Sequence, residues 1–140
     1  MKIRIVLVFL LSLLPFAVVA QERDSVFPDY SAYAGFVDSR VMSREFIELI
    51  QVLGGRDEYT PEQLTGIQNR FLAIYPSDFT NRAVTRETML GGGFRQEMRI
   101  YWSDNSGYVY FYALLHQRAN DLVVLNFTLN SDVTEVLNEF

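Results

Sequence analysis

The sequence contains no cysteine, and beyond residue 20 it contains no lysine. The lack of cysteine excludes disulfides and a lipid attached at a cysteine after an export signal, so stability must come from a packed core. The lack of lysine beyond residue 20 excludes Schiff-base chemistry and lysine cradles for phosphate there. His116 is the only histidine. A histidine-rich metal site is therefore excluded, and we expect neither a metal nor a cofactor.

Basic residues are also scarce. Residues 21–140 hold ten arginines against seventeen aspartates and glutamates, which gives a formal charge of −7. Binding to a phosphate backbone depends on an excess of lysine and arginine. We therefore expect no nucleic acid partner.

The first twenty residues have the layout of a secretory signal. Lys2 and Arg4 precede an apolar run over residues 5–14, and Pro15 and the small residues 17–20 follow. This order is typical of a cleaved signal peptide, and the run is short for a membrane anchor, which needs ~20 apolar residues. We predict a signal peptide over residues 1–20 and an exported protein, periplasmic or secreted, with no stable membrane insertion after cleavage.

Residues 21–37 contain Pro28 and spaced aromatic residues without helical or strand periodicity. This pattern predicts an extended leader. Residues 38–140 have the length of one domain, and neither a linker nor a repeat interrupts them. We therefore predict a single domain over residues 38–140.

Two helical patterns open this domain. Apolar residues recur at helical spacing over residues 38–53, where Asp38 or Ser39 can cap the first turn. Thr60 and Gln63 then match a capping box at the start of a second helix. The domain is therefore expected to begin with two helices.

After the second helix the apolar period shortens from about 3.6 to 2, which indicates strands. Residues 94–102, 108–116 and 123–129 alternate clearly, and a vaguer strand over residues 79–90 precedes them. The last ten residues favour a short helix. We predict an α+β fold in which two N-terminal helices pack on a four-stranded antiparallel meander, with a short C-terminal helix.

The register of the strands decides which side chains share a face. We predict that Ser103 pairs with Tyr108 across a four-residue turn, and that Tyr112 pairs with Thr128. One face then carries the apolar core, made of Met98, Ile100, Trp102, Phe111, Ala113, Leu115, Leu125 and Phe127. The other face, called the Tyr/Arg face below, carries Arg95, Glu97, Arg99, Tyr101, Tyr108, Tyr110, Tyr112, His116, Asn126 and Thr128.

The order of elements over residues 38–130 resembles the small exported members of the NTF2-like and cystatin-like group. Proteins of this group pack helices on one face of a bent antiparallel sheet. The group includes isomerases, dehydratases and non-catalytic binding or accessory domains, so the resemblance does not choose a function. Its catalytic members usually present an acid-base pair between helices and sheet, whereas the predicted apolar face here offers only Gln96.

The Tyr/Arg face is the candidate site. Tyrosine and arginine are enriched in binding surfaces because they combine rigid apolar area with polar tips. The leading hypothesis is a non-enzymatic exported binding or accessory domain for a small molecule or an exported protein partner. Its proposed binding residues are Arg99, Tyr101, Tyr110, Tyr112 and His116.

Three other readings of the same face remain open. The first is a small NTF2-like enzyme, an isomerase, dehydratase or hydrolase, that uses His116 and Glu97. The second is a solvated sheet surface, in which cross-strand pairs only stabilise the fold. The third is a homodimer formed through this face. We expect Glu97 to form ion pairs with Arg95 and Arg99.

Overall fold

The computed structural model describes residues 23–140, so the predicted signal peptide lies outside the described residues. The elements are β1 (Val26–Phe27), α1 (Tyr30–Met42), α2 (Phe46–Ile50), a π turn (Gln51–Gly55), α3 (Pro61–Ile74), β2 (Asn81–Gly91), β3 (Phe94–Ser103), β4 (Gly107–Gln117), β5 (Leu122–Asn130) and α4 (Val133–Leu137). The α+β class is confirmed. The strands form one antiparallel sheet in the order β1-β5-β4-β3-β2, with five strands where four were predicted. Among the helices of residues 23–140, none has the length and apolar content needed to cross a membrane.

Helix α1 begins at Tyr30, inside the segment predicted as an extended leader. Asp29 caps it, and its carboxylate accepts a hydrogen bond from the backbone N–H of Ala32 at 2.8 Å. Tyr33, Val37 and Val41 are buried. Because these residues are four apart, they form one helical stripe, so the prediction of an extended leader is wrong from Tyr30 onward.

The predicted helix over residues 38–53 is divided into α1 and α2. Arg44 lies between them with φ of +61°, and its guanidinium donates to Asp78 at 2.8 Å and to the carbonyl of Tyr75 at 2.9 Å. Helix α2 continues into the π turn, where Gly54 has φ of +113°. The predicted single helix thus corresponds to the end of α1, the break at Arg44, and α2 with the π turn.

The start of α3 follows the prediction. The Thr60 side chain accepts from the Gln63 N–H at 3.3 Å, and the Gln63 side chain accepts from the Thr60 N–H at 2.8 Å. Pro61 occupies the first turn, and the helix ends at Ile74. The predicted capping box is confirmed.

The predicted pairing of β3 with β4 is wrong by one residue. Ser103 pairs with Gly107, not with Tyr108. The loop is one residue shorter because Ser106 closes a turn onto the Ser103 carbonyl and Gly107 takes φ of +71°, a conformation that favours glycine. A slip of one residue turns β3 over relative to β4. The predicted pairing of Tyr112 with Thr128 is confirmed.

The main core lies between the sheet and helices α1 to α3. The sheet side chains on this helix face are Glu97, Arg99, Tyr101, Val109, Phe111, Ala113, Leu115, Leu122 and Val124. Met98, Ile100 and Trp102 lie on the opposite face, contrary to the prediction, because β3 is turned over. A smaller cluster on that opposite face buries Met98 and Tyr112 with Val136 of α4.

Candidate functional site

The structure divides the predicted Tyr/Arg face between the two sides of the sheet. Arg99 and Tyr101 lie on the helix face and are buried, whereas Tyr110, Tyr112 and His116 lie on the opposite face. The prediction that these five side chains form one surface is therefore wrong. The cause is the shorter turn before Gly107. It shifts the pairing of β3 with β4 by one residue, so the side chains of β3 point to the opposite face from the one predicted.

A buried polar cluster joins β3 to α1. Glu97 is completely inaccessible to solvent, and its carboxylate accepts from Arg99 Nε at 2.6 Å and from Arg95 Nη2 at 3.1 Å. The hydroxyls of Tyr30 and Tyr33 donate to the same carboxylate at 2.8 and 2.9 Å. The expected pairing of Glu97 with Arg95 and Arg99 is confirmed.

Asp38 of α1 completes this cluster. One carboxylate oxygen accepts from Arg99 Nη1 at 3.0 Å and from the Tyr101 hydroxyl at 2.7 Å, and the other pairs with Arg82 Nε at 2.9 Å. Asp38, predicted as a helix cap, thus lies within α1 and faces the sheet. Its contacts fix α1 against β3.

The electrostatics of the cluster are those of a structural network. Burial by itself would raise the pKa of Glu97, but the charge of Arg99 and the hydrogen bonds from Arg99, Tyr30 and Arg95 outweigh it and lower that pKa. Burial, with the neighbouring Asp38, raises the pKa of Tyr101. A general base needs a pKa near the working pH, and Glu97 is shifted away from it.

The remaining predicted site residues lie on the opposite face. Tyr112 is only 2% exposed, and its hydroxyl accepts a hydrogen bond from Gln96 Nε2 at 3.0 Å. The Phe140 ring packs edge-on against the Tyr112 ring, with 5.1 Å between the ring centroids. The His116 ring stacks on Phe94 at 4.0 Å. Tyr112 is therefore covered by the C-terminal segment.

Tyr110 is half-buried beside the same cluster. His116 and Glu97 lie on opposite faces of the sheet, because Glu97 pairs with Ala113 and His116 is three residues further along β4. The two residues named for an enzymatic alternative are thus not brought together.

A groove that sequence reasoning missed runs between β5 and α3. Its larger hollow has a volume of about 470 Å³. A second hollow of about 230 Å³ continues it toward Arg70, Asn130 and Ser131. The two hollows are together called the β5 groove. Their lining is mixed: it has apolar side chains, which include Ile50, Leu53, Ile67, Phe71, Phe127 and Leu129, and polar residues, which include Ser25, Asn126 and Thr128.

The outer edge of β5 is open along this groove. Strand β1 pairs only with Leu122 and Val123, and the Ser25 carbonyl accepts from the Val124 N–H at 2.8 Å. Within residues 23–140, the outer side of β5 has no strand partner from Leu125 to Asn130. An open strand edge is a template for a further strand.

Ser25 explains why β1 is so short. It has φ of +67°, and the turn it closes, from the Arg23 carbonyl to the Val26 N–H, directs the chain away from β5. Its N–H donates to the Val52 carbonyl at 2.7 Å, and its hydroxyl donates to the Leu53 carbonyl at 2.9 Å. Ser25 is thereby tied to the π turn, and this contact closes one end of the groove.

A bulge places Leu125 at the rim of the groove. Val124 pairs with Leu115 and Asn126 pairs with Leu114, so Leu125 is the extra residue, and it is 49% exposed. The sequence contains an indication of this bulge. Residues 122–125 are four consecutive apolar residues, and strict alternation resumes only after them.

The candidate site is therefore the β5 groove, a partly apolar channel beside an open strand edge. Within residues 23–140, no three His, Asp or Glu side chains come together as a metal site. The chain matches no protein-family model, and no curated protein or solved structure is significantly similar to it.

Proposed function

We propose that this chain is a non-enzymatic binding domain that takes an extended segment of a partner protein into the β5 groove by strand addition. The observation that carries the proposal is the open edge of β5 from Leu125 to Asn130 directly beside a partly apolar channel. This is the binding or accessory role expected from the sequence, but the proposed binding site is the β5 groove and not the Tyr/Arg face. Given the signal pattern of residues 1–20, the proposed partner is an exported protein.

Strand addition suits both parts of the site. The six residues of the open edge span about 20 Å, which matches a segment of similar length. The backbone of such a segment would pair with β5, and every second side chain would enter the groove. Half-buried Phe71, Phe127 and Leu129 would then lose their remaining contact with water. Burial of apolar area contributes about 25 cal/mol per Å².

The shape of the groove favours a segment over a small molecule. Small-molecule sites are concave and enclose most of the ligand, with a few polar groups that converge on it. The β5 groove instead consists of two adjoining hollows along β5, and its lining includes the exposed side chains of Tyr59 and Leu125. An extended chain fills such a channel along its whole length.

Leu125→Asp tests the location of the site. The probe is a fluorescent, uncharged peptide of eight alternating valines and threonines, and binding is followed by anisotropy. We expect at least about tenfold weaker binding, because the half-exposed leucine loses its burial and the carboxylate must be desolvated. Val84→Asp is the matched control, since Val84 is 46% exposed on β2 at the other edge of the sheet. Equal loss in both variants would contradict the proposed place.

N-methylation of the peptide tests the backbone pairing. Methyl groups on alternate amides block hydrogen bonding along one side of a strand only. Of two peptides methylated in opposite phase, one should lose binding and the other should keep it. Equal affinity of both peptides would overturn strand addition. Sedimentation of the free chain tests the other occupant, because a dimer that Leu125→Asp dissociates and Val84→Asp does not would mean that a second copy fills the groove.

A further inference from the structure

We infer that the β5 groove carries opposite charges at its two ends. It thereby selects a segment with an acidic residue at its N-terminal end and a basic residue at its C-terminal end. This inference rests on the proposed function, since it concerns the direction and the end charges of the same bound segment. It goes further by giving the partner a sequence pattern: acid, alternating apolar residues, base.

The two ends of the groove carry opposite charges. Glu58 lines the end near Ser25 and Gly54, and Arg70 lines the end near Ser131. Within residues 23–140, neither side chain has an ion-pair partner, although most arginines of the domain do.

Arg70 is exposed, and no ion pair neutralises it within residues 23–140. Its Nε donates only a long hydrogen bond of 3.4 Å to the carbonyl of Gly66, one turn earlier in α3. Glu58 lies in the loop before α3, where its backbone N–H donates to the Gly55 carbonyl at 3.2 Å. Both charges are therefore available to a bound segment.

The existing pairing of β5 sets the direction of the segment. Strand β5 is antiparallel to β4 on one side and to β1 on the other. Val26 lies opposite Val123 and Phe27 opposite Leu122, so the line of β1, extended backward, runs alongside Leu125 and the residues after it. An antiparallel pair is also slightly more stable per residue than a parallel pair.

A segment that continues the line of β1 has its ends fixed by this geometry. Its C-terminal end lies near Ser25 and Glu58, and its N-terminal end lies near Ser131 and Arg70. A basic residue at the C-terminal end therefore meets Glu58, and an acidic residue at the N-terminal end meets Arg70. The reverse arrangement of charges places like charges together at both ends.

Two peptides of identical composition test this polarity. Both have alternating threonine and valine in the middle and blocked termini; one begins with Asp and ends with Lys, and the other begins with Lys and ends with Asp. We expect the peptide that begins with Asp to bind about five- to tenfold more tightly at low ionic strength, because each exposed pair contributes modestly. This preference should shrink in 0.5 M salt, where the Debye length is about 4 Å.

Reversal of the protein charges tests the two named residues. In the double variant Glu58→Lys with Arg70→Glu, we expect the preference between the two peptides to invert. Glu135→Lys is the control for Glu58→Lys, since Glu135 is an exposed glutamate on α4, at the opposite face of the sheet. The control variant should keep the original preference.

The outcomes separate this inference from the function on which it rests. If neither charged peptide nor the uncharged peptide binds, strand addition at β5 is itself wrong. If both charged peptides bind equally, strand addition stands and the polarity is overturned. If the peptide that begins with Lys is preferred by the unmodified protein, the segment runs parallel to β5 and the inferred direction is wrong.

Discussion

Glu97→Gln removes the negative charge of the buried cluster beneath α1 and one of its two acceptor oxygens. The hydroxyls of Tyr30 and Tyr33 donate to different oxygens of Glu97, so the amide oxygen can accept from only one of them. The Arg99 guanidinium also loses the anion that lies 2.6 Å from it. Removing one partner of a buried ion pair costs about 3–5 kcal/mol. We expect the lower value, about 3 kcal/mol, because Arg99 keeps its contact with Asp38. In a domain of this size that loss lowers Tm by roughly 10 °C.

The same variant should change the dependence of stability on pH. The pKa of Glu97 in the folded protein is lowered from its ordinary value of 4.5. A carboxyl whose folded pKa is depressed contributes stability above the unfolded pKa, and this contribution is lost as the pH falls through the folded pKa. The difference in unfolding free energy between the original protein and Glu97→Gln should therefore narrow as the pH falls below 4.5.

Urea unfolding followed by circular dichroism, at pH 7 and at stepwise lower pH, measures both effects. Glu87→Gln is the matched control: Glu87 lies opposite Glu97 on β2, is exposed and pairs with Arg95 at 3.3 Å. We expect it to cost less than about 1 kcal/mol. If the two variants lose equal stability at pH 7, or if the difference does not narrow in acid, the assigned role of the Glu97 charge is refuted.

Two further substitutions test the fold at single positions. Tyr101→Ala should lower the unfolding free energy by about 3–5 kcal/mol because its ring and its hydrogen bond to Asp38 are buried. Tyr108→Ala, at an exposed tyrosine of the neighbouring strand, should cost less than about 1 kcal/mol, and similar losses in the two variants would contradict the observed register. Thr60→Ala should cost about 1 kcal/mol and speed hydrogen exchange in the first turn of α3, while unchanged exchange there would mean that the capping box adds nothing.

Local patterns in the sequence were sufficient for much of the fold. The capping box of Thr60 and Gln63 fixes the start of α3, and period-two alternation identifies β3, β4 and β5. The first part of α1, over residues 30–37, differs from the prediction, because the spaced aromatics of this stretch are also compatible with an extended leader. The stripe of residues 33, 37 and 41 was nevertheless visible in the sequence.

The candidate site could not be predicted in the same way. The Tyr/Arg face depended on one turn length, and the positive φ of Gly107 shortens that turn by one residue. The β5 groove depends on where α3 stands relative to β5 and on how early β1 ends. Both are set by contacts between distant segments, such as the hydrogen bonds of Ser25 to Val52 and Leu53, which no local pattern reports.

The turn at Ser25 decides whether the chain before it can compete with a partner segment for the β5 groove. If Ser25 had the extended conformation of Val26, Asp24 and Arg23 would continue β1 opposite Leu125 and Asn126. A strand tethered in this way acts at an effective concentration in the millimolar range. A partner of equal intrinsic affinity, present at micromolar concentration, would then be outcompeted by about a thousandfold. Ser25, with φ of +67°, thus keeps Asp24 and Arg23 from continuing β1 along β5.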